Sequence, residues 1–382
     1  MLLNGCSFCF IKDYVYLVDW IFPMLFRWKK NKSLCEFVCE LPKSEQSLPY
    51  IDVVACGQFI ICIPCTTSDF VIYDTITGEL KTMDAIELLR KNNVNFISEN
   101  FLFNFATVFD NRVIAFGAGA DCVVSISPYD ESVEVHKSLM NELRPIAPKG
   151  VAFYRRDFAI VNDNIFLASS FDGSIFRINL RNFSFEIYNR DVTVDCIGNV
   201  GLAFYDNSLW LFQKNGFIDK YELQGTNISE RKEHIKLVPD DNLPTGRFFA
   251  FGKNLIYLNE KNRNAYIYSI DKKEIIDKPM PLTEAPLSGI AVWPKVVCCD
   301  NMCFTLDTCE RSFMTFNEDF EIYDIQHIHC HNMPAEYIFK GIQYENPMGV
   351  TLNDLLTIGL NMSQKSSISS ETCGDKIWRM LN

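Results

Sequence analysis

The sequence predicts an all-β protein made of about seven similar modules, each with four short strands. Three observations support this expectation. Short runs rich in β-branched and aromatic residues, as strands prefer, follow one another along most of the chain. Turn-forming pairs such as Asp172-Gly173 separate these runs. A small residue also recurs at nearly even intervals. One repeated body can therefore account for a length of 382 residues, which would otherwise suggest two or three domains.

The stretch from 164 to 188 shows the module most clearly. Its three runs IFLA, SIFRIN and FSFEIY are predicted strands. The pair Asp172-Gly173 predicts a hairpin between two of them, because a two-residue turn with positive φ matches the right-handed strand twist. The runs that follow each small residue are apolar throughout, which indicates strands buried on both faces. Fourth strands are more polar, as expected at a solvated rim.

A small residue inside an apolar run marks the start of each module. Small side chains suit an innermost strand, because sheets that converge on a central channel leave little room there. The spacing of these markers, 41 to 51 residues, is close to the period of about 40 to 50 residues that four-stranded repeats show. The markers are Cys9, Ala55, Ala106, Ala152, Ala203, Ala250 and Ala291.

These repeats resemble β-propellers in general, over residues 1–330. The resemblance implies an all-β propeller of about seven four-stranded blades. It reaches no particular family, because the Gly-His and Trp-Asp signature of one repeat class and the Gly-Gly of kelch repeats are both missing. Six or eight blades, a pair of β-sandwiches and a β-helix are the alternatives. The first module already contains four strands, so we expect the ring to close by packing its first and last blades, without a borrowed strand.

Helices are expected in only a few places. The segment DAIELLRKNN (84–93) has helical spacing, an acidic N-cap and a basic last turn. A second short helix is predicted over 138–144. Residues 331–382 form a separate tail, with short helices over 352–360 and 375–381 and a polar linker between them. The tail either folds back on the propeller or docks on something else.

Composition narrows the function classes. A formal net charge of −12 argues against a nucleic-acid partner, since phosphate binding needs a basic face. We expect no membrane span, because the most apolar run, 14–26, is short and contains Asp19 and Pro23. The N-terminus lacks signal-peptide features. Fifteen scattered cysteines favour reduced thiols in the cytoplasm over a secreted disulfide protein.

The predicted site lies on the propeller face that carries the connections between blades and the turns from second to third strands. We call it the connection face; loops on such a rigid scaffold are free to carry function. The position three residues before each marker enters the channel from this face. Charged residues occupy it in three modules: Asp52, Lys149 and Arg247. Such a ring could orient an anionic or sugar ligand, or its charges could pair with one another or with water. In the other modules the position holds Cys6, Phe103, Val200 and Ser288.

Two aromatic residues add a second candidate. Trp20 and Phe22 fall in a second-to-third turn on the same face. An exposed ring there would stack on a sugar or anchor a partner protein. The alternative is that both rings fill the gap between the first and last blades.

The sequence supports no metal site and no cofactor. His327, His329 and His331 would share one face of a strand, but the CxxC pairs do not occur at finger-like spacing. No GxSxG, Walker or GxGxxG motif is present. Catalytic carboxylates cannot be chosen from so many candidates.

Two functions therefore stay open. The favoured one is a non-catalytic interaction scaffold that binds a protein or glycan partner across the connection face. It agrees with the acidic charge, the missing catalytic motifs and the predicted helical tail. The alternative is a carbohydrate-active or related small-molecule enzyme, whose site at the channel mouth uses Asp52, Lys149 or Arg247.

Overall fold

The strands form a closed ring of seven sheets, each built on four antiparallel strands, as the repeats predict. The structure is a computed structural model that describes residues 5–19, 23–29, 34–43, 48–99, 101–137, 154–170, 172–188, 198–239, 246–280, 293–299, 301–308 and 312–331. Within each sheet, consecutive strands are neighbours. The fold is therefore a seven-bladed β-propeller.

The first four blades follow one another in the order of the sequence. Blade 1 contains β1 (Gly5–Ile11), β2 (Tyr14–Asp19), β3 (Met24–Lys29) and β4 (Leu34–Glu40). Blade 2 contains β5 (Tyr50–Cys56), β6 (Phe59–Pro64), β7 (Asp69–Asp74) and β8 (Leu80–Asp84), followed by helix α1 (Ala85–Lys91). Blade 3 contains β9 (Phe103–Phe109), β10 (Arg112–Gly117), β11 (Val123–Ile126) and β12 (Val133–His136). Blade 4 contains β13 (Tyr154–Val161), β14 (Asn164–Ser169), β15 (Ile175–Asn179) and β16 (Phe185–Tyr188).

The last three blades repeat the same order. Blade 5 contains β17 (Asn199–Tyr205), β18 (Ser208–Gln213), β19 (Phe217–Gln224) and β20 (Asn227–Lys236). Blade 6 contains β21 (Gly246–Phe251), β22 (Asn254–Asn259), β23 (Asn264–Ser269) and β24 (Glu274–Pro279). Blade 7 contains β25 (Val296–Cys299), β26 (Met302–Asp307), β27 (Ser312–Phe316) and β28 (Ile322–His327), and β29 (His329–His331) follows it.

A two-residue turn joins the first and second strands of every blade. Such turns require positive φ, which Asn, Asp and Gly tolerate best. The φ angles fit, with values from 47° to 59° at Lys12, Gly57, Asp110, Asn111, Asn162, Asp206, Asn207, Gly252 and Asn301. The turns fix the register of each innermost strand against the second strand.

An apolar cluster fills each of the seven gaps between neighbouring blades. Strand β6 shows how one strand serves two clusters. Ile61 and Ile63 pack toward blade 3, while Ile60 and Cys62 pack toward blade 1. Side chains alternate between the two faces of a strand, so a strand inside a stack of blades must be apolar on both. This explains the continuous apolar runs of the second strands.

The ring closes differently from our expectation. Blades 1 and 7 do pack, with the rings of Trp28 and Phe313 4.4 Å apart between centroids. However, β29 crosses from blade 7 and pairs in parallel with β4, as a fifth strand on the rim of blade 1. The prediction that no strand is borrowed was therefore wrong. An edge strand presents unpaired backbone groups, and β29 covers those of β4.

The same strand corrects the predicted histidine face. His327 ends β28 in blade 7, whereas His329 and His331 belong to β29 in the sheet of blade 1. The three histidines therefore do not lie on one strand.

Helix α1 confirms the helix predicted over 84–93. Asp84 is its N-cap and accepts a hydrogen bond of 2.8 Å from the backbone N–H of Glu87. Arg90 and Lys91 lie in the last turn, as a helix dipole favours. The helix predicted over 138–144 and those of the C-terminal tail lie outside the described residues. The division at residue 330 stays an expectation.

Candidate functional site at the channel mouth

The centre of the propeller contains a cavity of about 720 Å³. The innermost strands of all seven blades line it, together with residues just before them. A cavity of this size falls within the range of about 300 to 1,000 Å³ that small-molecule sites occupy.

One position in each blade lies close to the start of this cavity, near the beginning of the innermost strand. It lies four residues before the last residue of each innermost strand, counted back from the two-residue turn. We call these seven residues the mouth ring: Ser7, Asp52, Phe105, Asp157, Gly201, Arg247 and Lys295. All of them except Gly201 line the cavity.

The backbone is irregular beside the mouth ring in five of the seven blades. In blades 1 to 5 the pairing of the first and second strands shifts register close to the mouth ring. A bulge of this kind leaves a residue out of the ladder, bends the strand and re-aims its side chains. Asp52 and Asp157 lie beside such irregular segments, whereas Arg247 and Lys295 lie in blades with a regular register.

Asp52 is the centre of the first network. Its Oδ1 accepts hydrogen bonds from Ser7 Oγ at 2.7 Å and from Lys295 Nζ at 2.6 Å. Its Oδ2 accepts one from the backbone N–H of Ala106 at 3.0 Å. Lys295 also donates to the carbonyl of Val53 at 2.8 Å. The network thus joins blades 7, 1, 2 and 3.

Burial and hydrogen bonding act in opposite directions on the pKa of Asp52. Burial alone would raise this pKa, because it disfavours the charged carboxylate. The charge of Lys295 and the hydrogen bonds from Lys295, Ser7 and Ala106 outweigh burial, and the pKa lies below its ordinary value. Asp52 is therefore an ionised carboxylate at neutral pH, and both its oxygens accept hydrogen bonds.

Asp157 and Arg247 form the second network. Arg247 donates to Asp157 Oδ1 at 3.2 Å, and the backbone N–H of Phe248 donates to Asp157 Oδ2 at 3.0 Å. Arg247 also donates to the carbonyls of Trp293, at 2.9 Å, and Pro294. This network joins blade 4 to blade 6 and to the segment that enters blade 7.

Gly201 makes this second network possible. Asp157 reaches blade 6 by passing over blade 5, where Gly201 occupies the mouth ring. A Cβ atom at position 201 would lie 2.9 Å from Asp157 Oδ2 and 3.1 Å from the Cβ of Phe248. The missing side chain therefore leaves the space that the carboxylate fills.

Arg156 lies beside the mouth ring and lines the cavity. Its Nε donates to Asn104 Oδ1 at 3.2 Å. Within the described part of the chain, no carboxylate lies within ion-pair distance of it. Burial and the positive charge of Arg247 lower the pKa of Arg156 to about 10, so it stays charged at neutral pH.

The structure describes two of the five predicted site residues. Asp52 and Arg247 both lie in the mouth ring, where they belong to two separate networks. Their role in binding stays a prediction. Lys149, Trp20 and Phe22 lie outside the described residues. Three further positions expected to enter the channel, Cys6, Phe103 and Val200, instead pack in the clusters between blades.

Sequence reasoning missed Arg156, Asp157 and Lys295. Its markers Ala152 and Ala291 precede the strands that they were meant to mark, β13 and β25. Ala159 and Cys298 take the small positions that line the cavity in these blades. The turn pairs, such as Asn162-Asp163, are the better guide, because they mark the ends of β13 and β25 and so place Asp157 and Lys295 level with Asp52 and Arg247.

Other site types receive no support from the described ranges. They contain no group of three His, Cys, Asp or Glu residues placed to hold a metal ion. None of their helices is long and apolar enough to cross a membrane. The described cysteines are free thiols. Burial raises the pKa of Cys39 and Cys65 to about 12, which keeps these thiols protonated.

Comparison with known proteins supports the fold alone. No family model matches the chain, and no curated protein matches it. Among solved structures, it is similar to PorZ, a surface component of the type-IX secretion system of Porphyromonas gingivalis, with 12% identity and a TM-score of 0.55. That match covers 86% of this chain and 38% of PorZ, so the chain spans well under half of that protein.

Two further solved structures cover most of both chains. Virginiamycin B lyase from Staphylococcus aureus shares 11% identity at a TM-score of 0.57, over 81% of this chain and 95% of the lyase. BamB from Moraxella catarrhalis shares 10% identity at a TM-score of 0.51, over 86% of this chain and 85% of BamB. At such low identity these matches show a shared architecture and do not transfer a site.

Proposed function

We propose that this chain is a non-catalytic interaction scaffold that binds a protein or glycan partner on its connection face. One observation carries the proposal. Both carboxylates of the mouth ring are engaged in hydrogen bonds and ion pairs that tie separate blades together. Asp52 and Asp157, the carboxylates that an enzyme could use at the channel mouth, are therefore occupied in holding the blades together.

The state of Asp52 argues against acid-base catalysis by this residue. A general base works best with a pKa near the working pH and with a lone pair directed at the substrate. Asp52 has a lowered pKa, and both its oxygens accept hydrogen bonds from other blades. It is suited to holding Lys295 and Ser7 in place.

The similar structures do not choose between the two functions. One is named as a component of a secretion system and another as a lyase, on the same architecture. Function therefore has to be argued from the residues of this chain. The net charge of −12 still disfavours nucleic acid as the partner. A cytoplasmic location is part of the proposal, supported by the free thiols.

Charge reversal on the two faces of the propeller tests the proposal. Arg90 in α1 and Lys261 in a second-to-third turn are exposed on the connection face. Lys12 and Lys272 are exposed in turns on the opposite face and provide the matched control. The first step is to screen the full chain on a glycan array and by affinity purification with partner identification. The binding constant of each purified hit is then measured for both double variants.

The two double variants have opposite expected results. We expect Arg90→Glu with Lys261→Glu to weaken binding at least about tenfold, and Lys12→Glu with Lys272→Glu to leave it unchanged. Loss of binding only in the opposite-face variant would contradict the proposal.

The enzyme remains the second candidate because the cavity can hold a small molecule and Arg156 has no carboxylate partner among the described residues. Turnover of chromogenic glycosides or esters that is abolished in Arg156→Met would favour it. A folded chain that turns over none of them supports the scaffold.

A further inference from the structure

The channel mouth carries more positive than negative charge, in a protein whose net charge is −12. Three cations, Arg156, Arg247 and Lys295, line the cavity together with two carboxylates, Asp52 and Asp157. Each carboxylate already pairs with one of the cations. Arg156 is the cation left over, and it faces the cavity.

The guanidinium of Arg156 has hydrogen-bonding capacity to spare. Arginine carries five N–H donors in a planar fork. Nε donates to Asn104 Oδ1, and the side chain lines the cavity. Among the described residues, the two terminal nitrogens of Arg156 have no hydrogen-bond acceptor. The ammonium of Lys295 has three donors, of which Asp52 and Val53 take two.

The protein surroundings of Arg156 disfavour its positive charge. Burial and the neighbouring charge of Arg247 both disfavour its cationic form, and the charge of Asp52 only partly offsets them. Two like charges beside one cavity of about 720 Å³ are stabilised when an anion enters between them. An anionic ligand would therefore stabilise the positive charge of Arg156 more than the surrounding protein groups do.

We propose that the channel mouth binds the phosphate or carboxylate group of a small anionic molecule, with Arg156 as the main ligand and Lys295 as a second donor. The planar fork of arginine matches both groups, because it can donate two parallel hydrogen bonds to a pair of oxygens. This site lies in the channel and does not depend on the partner surface proposed above.

The test uses inorganic pyrophosphate and citrate as probes for the two anion classes. Thermal shift and isothermal titration are recorded on the full chain at constant ionic strength. We expect at least one probe to bind the wild type and raise its Tm. Arg156→Met should weaken that binding about tenfold to a hundredfold, which is the usual cost of losing hydrogen bonds to a charged group. The tighter probe identifies the anion class.

A matched control separates the site from general charge attraction. Arg181 is exposed, pairs with Asp110 and Asp163 and does not line the cavity, so Arg181→Met removes one positive charge outside the proposed site. It should leave probe binding unchanged. Without probe, Arg156→Met should be at least as stable as the wild type, since it removes repulsion from Arg247.

Two results would overturn the inference. One is that neither probe binds the wild type. The other is that Arg156→Met loses no more affinity than Arg181→Met. If Arg156→Met does not fold, Arg156→Lys replaces it, because lysine keeps the charge and loses the fork. A loss of several-fold in that variant supports the inference, and unchanged binding contradicts it.

Discussion

The two networks of the mouth ring both connect blades that are not neighbours, and they do so with different residues. In each, a carboxylate accepts hydrogen bonds from a blade that is not its neighbour, passing a blade whose ring residue is small. Asp52 pairs with Lys295 across Ser7 of blade 1, and Asp157 pairs with Arg247 across Gly201 of blade 5. A propeller blade normally contacts only its two neighbours, so these ties add contacts that the packing of sheets alone does not provide.

The difference lies in what each network spans. Asp52 and Lys295 are 243 residues apart in sequence and bridge the point where the ring closes. Asp157 and Arg247 are 90 residues apart, within the continuous series of blades. Arg247 also has two backbone carbonyls as acceptors, whereas Lys295 has one besides Asp52. We therefore expect the Asp52 network to contribute more to the stability of the closed ring.

The largest effect is expected from removing each carboxylate in turn. Asp52→Ala leaves the ammonium of Lys295 and the N–H of Ala106 without this acceptor, and should cost about 3 kcal/mol of unfolding free energy. Asp157→Ala should cost about 1 to 2 kcal/mol, because Arg247 keeps its carbonyl partners. Urea denaturation of both variants measures the difference. Equal losses, or a larger loss in Asp157→Ala, would mean that the Asp52 network does not stabilise the ring more than the Asp157 network does.

The two small residues provide the next comparison. Gly201→Ala places a methyl group against Asp157 and Phe248 and should cost about 1 to 3 kcal/mol, as overpacking does. Ser7→Ala only removes one hydrogen bond to Asp52 and should cost about 1 kcal/mol. The cost of Gly201→Ala should fall when Asp157→Ala is also present. If that cost stays the same in the double variant, Gly201 serves some other purpose than making room for the carboxylate.

The smallest expected effect is a dependence of stability on pH. The pKa of Asp52 is lowered in the folded protein, so its stabilising contribution is complete above the ordinary aspartate pKa of about 3.9. The contribution is lost as pH falls below that value through the lowered folded pKa. The stability difference between the wild type and Asp52→Asn should thus be constant from about pH 7 to 5 and shrink below about pH 4. A difference that grows toward acid pH would show that Asp52 is not held as a carboxylate.

Much of the fold could be predicted from the sequence, because its signals are local. Alternation, the turn pairs between first and second strands and the N-cap Asp84 act within a few residues. Asp172-Gly173 does lie between two strands, but the connection covers 170–174 and is longer than the two-residue turn that the pair predicts. The closing strand β29 could not be predicted, since it is three residues long and pairs with β4 at a distance of almost 300 residues.

Only part of the mouth ring could be predicted from the sequence, because its members do not all lie at a fixed distance from a small residue. Asp52 and Arg247 follow from the spacing of small residues, but a small residue is a loose marker and placed two blades seven residues too early. A two-residue turn is a stricter marker, because its geometry fixes the register. The role of Gly201 depends on Asp157 in the preceding blade, so no pattern within its own blade reveals it.

A double-mutant cycle on Asp52 and Lys295 tests most directly whether mouth-ring charges tie distant blades together. Unfolding free energies are measured for the wild type, Asp52→Ala, Lys295→Met and the double variant. The structure predicts a coupling energy of about 1 to 3 kcal/mol, as residues in one ion-pair network show. A coupling indistinguishable from zero would contradict the account, because the two side chains would then stabilise the ring independently.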